Sequence, residues 1–148
     1  MAKATTYAND VLDQTLPNAA SGTDVIGPTT YTLPFRILFL STLSTAGSQG
    51  TEWTTSGGYT SSSGGGAVGG VALNGLMATP ASAAAKANTS AITITNAPAQ
   101  TWSDNEIHDS TATTQKRVVF KGTPSLAKTV NSGDTCTIAI GSLTGTEV

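Results

Sequence analysis

The longest uninterrupted apolar run in this chain is Ile37-Leu38-Phe39-Leu40, and its brevity limits the fold before any other feature. A helix that crosses a bilayer needs roughly 20 apolar residues, so no membrane contact is expected. An apolar run this short, inside "YTLPFRILFLSTL", reads instead as a strand buried on both faces. Ser and Thr together exceed a quarter of the 148 residues. With 16 Gly, 6 Pro and few Glu, Lys or Leu, that composition favours β-structure and loops over helices.

One segment does carry helical periodicity. In "TTYANDVLDQTLP", Thr5 or Thr6 can cap, Tyr7, Val11 and Leu12 fall on one stripe with Leu16 adjoining, and Pro17 supplies a stop. A helix this short is marginal alone in water and needs a surface to bury against, its own domain or a neighbouring subunit. Residues 1–17 are therefore a candidate contact arm, with Tyr7, Val11, Leu12 and Leu16 as its contact residues. The segment "NAASGTDVIGPTT" reads as a loop, and residues 31–148 as the β-domain of a single-domain chain. Within it, 56–90 is a Gly- and Ala-rich insertion, in which "ATPASAAAKA" could form a helical turn or two. Beyond 90, "AITITN" alternates, "KRVVFKG" is a short strand, and "LAKTV" and "DTCTIAI" flank Asn131-Ser132-Gly133 as a hairpin. Its second arm should point Cys136, Ile138 and Ile140 inward and Thr135 and Thr137 outward. Short strands without interleaved helices imply a mainly β chain, an antiparallel sandwich or barrel with a short N-terminal helix and a long Gly/Ser/Ala-rich loop.

Charge narrows the partners. Charged residues make up 11% of the chain, 7 basic against 9 acidic, for a net charge of -2. Such a balance creates no field to attract nucleic acid. The start "MAKATTYAND" has one Lys and no apolar core of a signal peptide, which reads as no secretory signal. That leaves the sequon Asn88-Thr89-Ser90 without a secretory context. The single Cys136 reads as a structural buried thiol. Arg36, inside the buried strand, is expected at an edge or end with its guanidinium reaching water.

"SGGGAVGG" contains G-x-G-x-x-G at Gly64, Gly66 and Gly69, the pattern of a dinucleotide-binding turn. The pattern works only between a buried strand and a helix, with an acid about 20 residues on. Here "YTSSS" precedes it, "VALNGLMATP" follows it broken by Gly75 and Pro80, and no such acid is present. Nucleotide binding is not expected, and the glycines read as close backbone packing or a surface loop. His108, the sole histidine, lies in "SDNEIHD" with Asp104, Glu106 and Asp109. On a strand Glu106 and His108 share a face and Asp109 does not. The segment is expected to be a solvated loop or strand rim, with no metal site, cofactor or catalytic residue. Trp53, Tyr59 and Trp102 are expected in the core, with a sugar-stacking platform as the alternative.

The order of segments resembles a family of small tailed-bacteriophage virion proteins known as phage tail fibre or head decoration proteins. The resembling pieces are "YANDVLDQTL", "FRILFLSTLS", "GTEWTTSGGYT", "AITITNAPAQTWSDNEIHDS" and "FKGTPSLAKTVNSGDTCTIAIGSLTGTEV". The resemblance implies a non-enzymatic β-sandwich located in the virion, a homo-oligomer and by preference a trimer, bound to the phage major capsid protein as cement. A tail or fibre part that binds host glycan is the alternative. The departure is the enlarged "SSSGGGAVGGVALNGLMATPASAAAKANTS" stretch.

Overall fold

The computed structural model describes residues 9–13, 22–26, 29–45, 49–62, 69–78, 85–110, 118–122 and 127–146. The protein is mainly β, with one short N-terminal helical stretch at residues 9–13. The ladders with a described register are all antiparallel. Among the described residues no sheet closes into a barrel, and no helix is long and apolar enough to cross a membrane.

The backbone divides into two compact units. The first comprises Met1–Phe35, Leu73–Ile92 and Thr137–Val148, and the second Arg36–Ala72 and Thr93–Cys136. In the first unit β1 (Gly22–Ile26) pairs with β2 (Thr29–Leu33), from Gly22 opposite Leu33 to Ile26 opposite Thr29. The segment expected as a loop thus carries a strand, because Thr, Val and Ile there suit a ladder once β2 supplies a partner. β5 (Ala85–Ala87) pairs with β12 (Thr144–Thr146), so the end of the Ala-rich tract is extended, not helical. Residues 79–84 of that tract lie outside the described residues. Asn88, buried after β5, locks the unit: its side-chain nitrogen donates to the Ser90 and Ala139 carbonyls and its side-chain oxygen accepts from the Leu143 amide.

The second unit is built on a four-stranded sheet in the order β4 (Val71–Ala72), β3 (Arg36–Leu40), β8 (Asp104–His108), β9 (Val118–Gly122). "YTLPFRILFL" is two strands, not one, because Pro34 has no N–H to continue a ladder. β3 is buried over Ile37–Leu40, as its unbroken apolar run dictates. β7 (Gln100–Trp102) pairs with β10 (Lys128–Val130). β10 is therefore not the arm of a hairpin with β11 (Cys136–Ile138), although Asn131-Ser132-Gly133 does turn the chain, with Gly133 at φ 90° and Asp134 N donating to Asn131 O. The β-pattern of β11 holds for buried Cys136 and Ile138 around exposed Thr137, but ends there: Ile140 is 66% exposed. β6 (Ile92–Ile94) shows the same alternation, with only Thr93 outward.

Phe39 centres an aromatic cluster, 5.2 Å from Trp53, 6.0 Å from Tyr59 and 5.1 Å from Trp102, ring centre to ring centre. Each indole N–H is satisfied, Trp53 by the Thr101 carbonyl and Trp102 by the Asn105 side chain. Trp53, Tyr59 and Trp102 are only 0%, 2% and 7% exposed, so they form the core and offer no open stacking surface.

Candidate functional site

One array of polar side chains in the second unit gathers on Glu52, which forms an isolated bridge to Leu40 at the end of β3. Buried Glu52 accepts from Tyr59 Oη at 3.0 Å and from Ser62 Oγ at 2.6 Å, and both of its oxygens accept from the Ser62 amide. Tyr59 Oη itself accepts from the Phe39 amide at 3.2 Å, tying the carboxylate to the central strand. At the start of β3, Arg36 donates from Nε to the Gly69 carbonyl at 2.6 Å and from its terminal nitrogen to the Gly70 carbonyl at 2.7 Å. The Gly70 amide closes on the Thr60 carbonyl. Both ends of the glycine-rich stretch are thereby fastened to β3, one through Glu52 and one through Arg36.

Arg36 stands at the end of β3, as expected, but its half-buried guanidinium caps two carbonyls. The reason is electrostatic: Gly69 and Gly70 have no side chains to shield their carbonyls, so a planar donor fork can take both. Burial pulls the Arg36 pKa below its ordinary value. Burial, then the negative charge of Glu52, pushes that of Tyr59 far above its ordinary value, so the phenol stays neutral.

Gly69 owes its identity to this packing. A Cβ there would collide with the Ser62 amide nitrogen and stand 2.8 Å from Glu52 Oε1. Gly70 has φ 76°, and a Cβ on it would press on the Ile37 carbonyl. Gly64 and Gly66 lie outside the described residues. Gly69→Ala is expected to destabilise the second unit by ~2 kcal/mol or more, since backbone and a buried carboxylate must both shift. Urea unfolding followed by tryptophan fluorescence reads this directly, because both tryptophans belong to this unit.

The second polar row is β8. It was expected as a solvated rim, yet all five of its residues are buried. Its position between β3 and β9 overrides its polarity, and its side chains bond to nearby backbone, to Trp102 and, for Glu106 and His108, to each other. Asp104 accepts from the Ser44 and Asn105 amides. Asn105 donates to the Leu38 carbonyl and accepts from Trp102. Glu106 Oε2 and His108 Nε2 are 2.8 Å apart, on one strand face as the alternation required. Among the described residues, no group of three or more His, Cys, Asp or Glu side chains is placed to hold a metal ion.

Comparison with protein-family models, curated proteins and solved structures gave no match. The chemistry of the two rows therefore rests on their geometry, and that geometry is a clamp: carboxylates accept from amides and hydroxyls that hold loops onto β3 and β8.

Of the expected contact residues, Leu12 is buried and Val11 half-buried within the chain itself, while Tyr7 and Leu16 lie outside the described residues. The helical stretch is anchored by Asp13, whose Oδ1 is 2.7 Å from Nζ of Lys86 on β5. Sequence reasoning missed Glu52, Ser62 and Lys86 altogether. Only the low charge content hinted at them, since in a chain so poor in ions a buried one must have an assigned partner.

Alkaline pH should expose the clamp. Tyr59 has its folded pKa raised above its ordinary 10.0, so the stability it contributes is complete below that pH and is lost as pH rises above it. Cys136, also shifted upward by burial and then by Asp134, adds a loss of the same sign that begins above its ordinary 9.0. The expected result is a stability that falls by up to about 1.4 kcal/mol per pH unit from Tyr59. The fall above pH 10.0 should be shallower in Tyr59→Phe than in the parent. Equal slopes would show that Tyr59 is not protected.

Proposed function

We propose that this chain is a structural protein of a tailed-bacteriophage virion, without enzymatic activity, assembled in the bacterial host cytoplasm. It acts as a capsid cement or decoration protein that binds the major capsid protein shell as a homo-oligomer, by resemblance a trimer. The observation that carries this reading is where the reactive and charged side chains go. Glu52, Lys86, Asp104, Glu106 and His108 are buried in bonds within the chain. Several outward strand positions are threonines, Thr93 on β6, Thr137 on β11, and Thr101 directly opposite Thr129 across β7 and β10, with Lys128 on β10 an exposed charged exception. Threonine on a strand is stiff at χ1 and uncharged, so it can be covered by a neighbour at little entropic cost and with no ion to desolvate. A surface of that kind suits repeated packing on a lattice. The alternative, a tail component that stacks host sugars, is disfavoured because Trp53, Tyr59 and Trp102 are buried.

Copy number in purified virions, by quantitative protein staining against the major capsid protein, tests the reading. Copies near those of the capsid protein are the expected result. A few copies per particle would transfer the chain to the tail, and its absence from virions would end the proposal.

A further inference from the structure

The turn between Leu73 and Leu76 contains the dipeptide Asn74-Gly75, with Asn74 half-buried and Gly75 exposed. Leu76 N donates to Leu73 O at 3.1 Å and Gly75 has φ 72°, a turn whose third position favours glycine. Three features coincide there. The Asn74 carboxamide makes no hydrogen bond among the described residues, and neither does the Gly75 amide. Gly75 is exposed, and a Cβ built on it would meet nothing within 4 Å.

From these features we infer that Asn74-Gly75 is a self-modification site, at which the chain converts its own asparagine without an enzyme. Hydroxide removes the Gly75 amide proton and the nitrogen attacks Cγ of Asn74. The new N–Cγ bond closes a cyclic imide, the Cγ–Nδ2 bond breaks, and ammonia leaves after taking a proton from water, which restores the hydroxide. Water then opens the imide at either carbonyl, leaving aspartate or isoaspartate. No oxidation or reduction is involved. The glycine matters because an amide without a flanking Cβ can rotate onto the side chain.

The other asparagines of the described strands and turns lack this combination. The carboxamides of Asn88, Asn105 and Asn131 are held by hydrogen bonds. The amide after Asn96 is bonded to the Asp134 carbonyl. Each of the four is followed by a residue with a side chain. The modified turn is not inert: Leu73 and Met77 beside it are buried, and the Leu76 carbonyl accepts from Thr89 N at 2.8 Å. Isoaspartate inserts a methylene into the main chain between those anchors and adds one negative charge to the net -2.

The test incubates the full chain, its Asn74→Gln variant and a synthetic peptide covering residues 69–78 in mildly alkaline buffer. Peptide mapping by mass spectrometry and an isoaspartate-specific methyltransferase then read each asparagine. The expected result is a gain of one mass unit at Asn74 in the full chain, on the timescale of the peptide, with aspartate and isoaspartate both present. The variant should show no gain at that position, and Asn131 should lag well behind. If Asn74 is intact when the peptide has converted completely, the fold protects the turn and the inference fails. Conversion of Asn131 as fast as Asn74 would equally overturn it, since the geometry would then select nothing.

Discussion

Glu52→Ala is expected to destabilise the second unit by ~3–5 kcal/mol, a loss comparable with that from breaking a fully buried polar network. The substitution strands three donors at once: the hydroxyls of Tyr59 and Ser62 and the amide of Ser62. Tyr59 and Ser62 are themselves buried, so water cannot replace the lost acceptor without opening the core. Glu52→Gln should fall between the parent and Ala, because one amide oxygen can still accept while the new NH2 faces donors. The unfolding midpoint in urea, read by tryptophan fluorescence at unchanged m-value, measures both. A double-mutant cycle with Tyr59→Phe should give a coupling of ~1 kcal/mol or more, as expected for residues sharing a bond. A Glu52→Ala variant within ~1 kcal/mol of the parent would mean that the carboxylate is not the fastening point of the glycine-rich stretch.

The scale of that effect explains what sequence reasoning could and could not reach. Segments whose partner is implied by their own pattern were legible. Ile37–Leu40 is buried on both faces because it has no polar side to expose, and β6 and β11 alternate as their Ile and Thr residues dictate. The aromatic core followed from the poor economy of leaving two tryptophans in water. Residues whose environment depends on distant chain were not legible. Arg36 meets its acceptors 33 and 34 residues away, and no local feature of "PFRIL" announces them. β8 reads as a polar surface segment until β3 and β9 are placed on either side of it. The same applies to β10, whose proximity to Asn131-Ser132-Gly133 suggested a hairpin, while it pairs with β7, Thr129 lying opposite Thr101 across 28 residues of sequence. Turn chemistry specifies a reversal of the chain, but pairing is decided by which strand face is available.

The N-terminal arm allows the clearest test of whether an ion pair or apolar burial holds a short helix in place. Lys86 is 1% exposed and its partner Asp13 is 31% exposed, so the two ends of the bridge differ greatly in their access to water. Removing the exposed end leaves the buried end unpaired. Asp13→Ala is therefore expected to cost ~3 kcal/mol, the low end for a broken buried pair because water can enter where Asp13 stood. Removing the buried end does the reverse: Lys86→Met keeps the apolar stem, eliminates the charge, and leaves Asp13 free to hydrate, at an expected cost below ~1 kcal/mol. Hydrogen exchange at the β5–β12 ladder, where Lys86 pairs with Gly145, reports on this unit without relying on the tryptophans of the other. Faster exchange in Asp13→Ala than in Lys86→Met is the expected order. The reverse order would mean that the ammonium finds other acceptors, and that buried Leu12, not the ion pair, anchors residues 9–13. That distinction bears on the virion reading. An arm held mainly by Leu12 could exchange its apolar contact for one on a capsid neighbour, whereas an arm held by a buried charge would have to leave Lys86 uncompensated to do so.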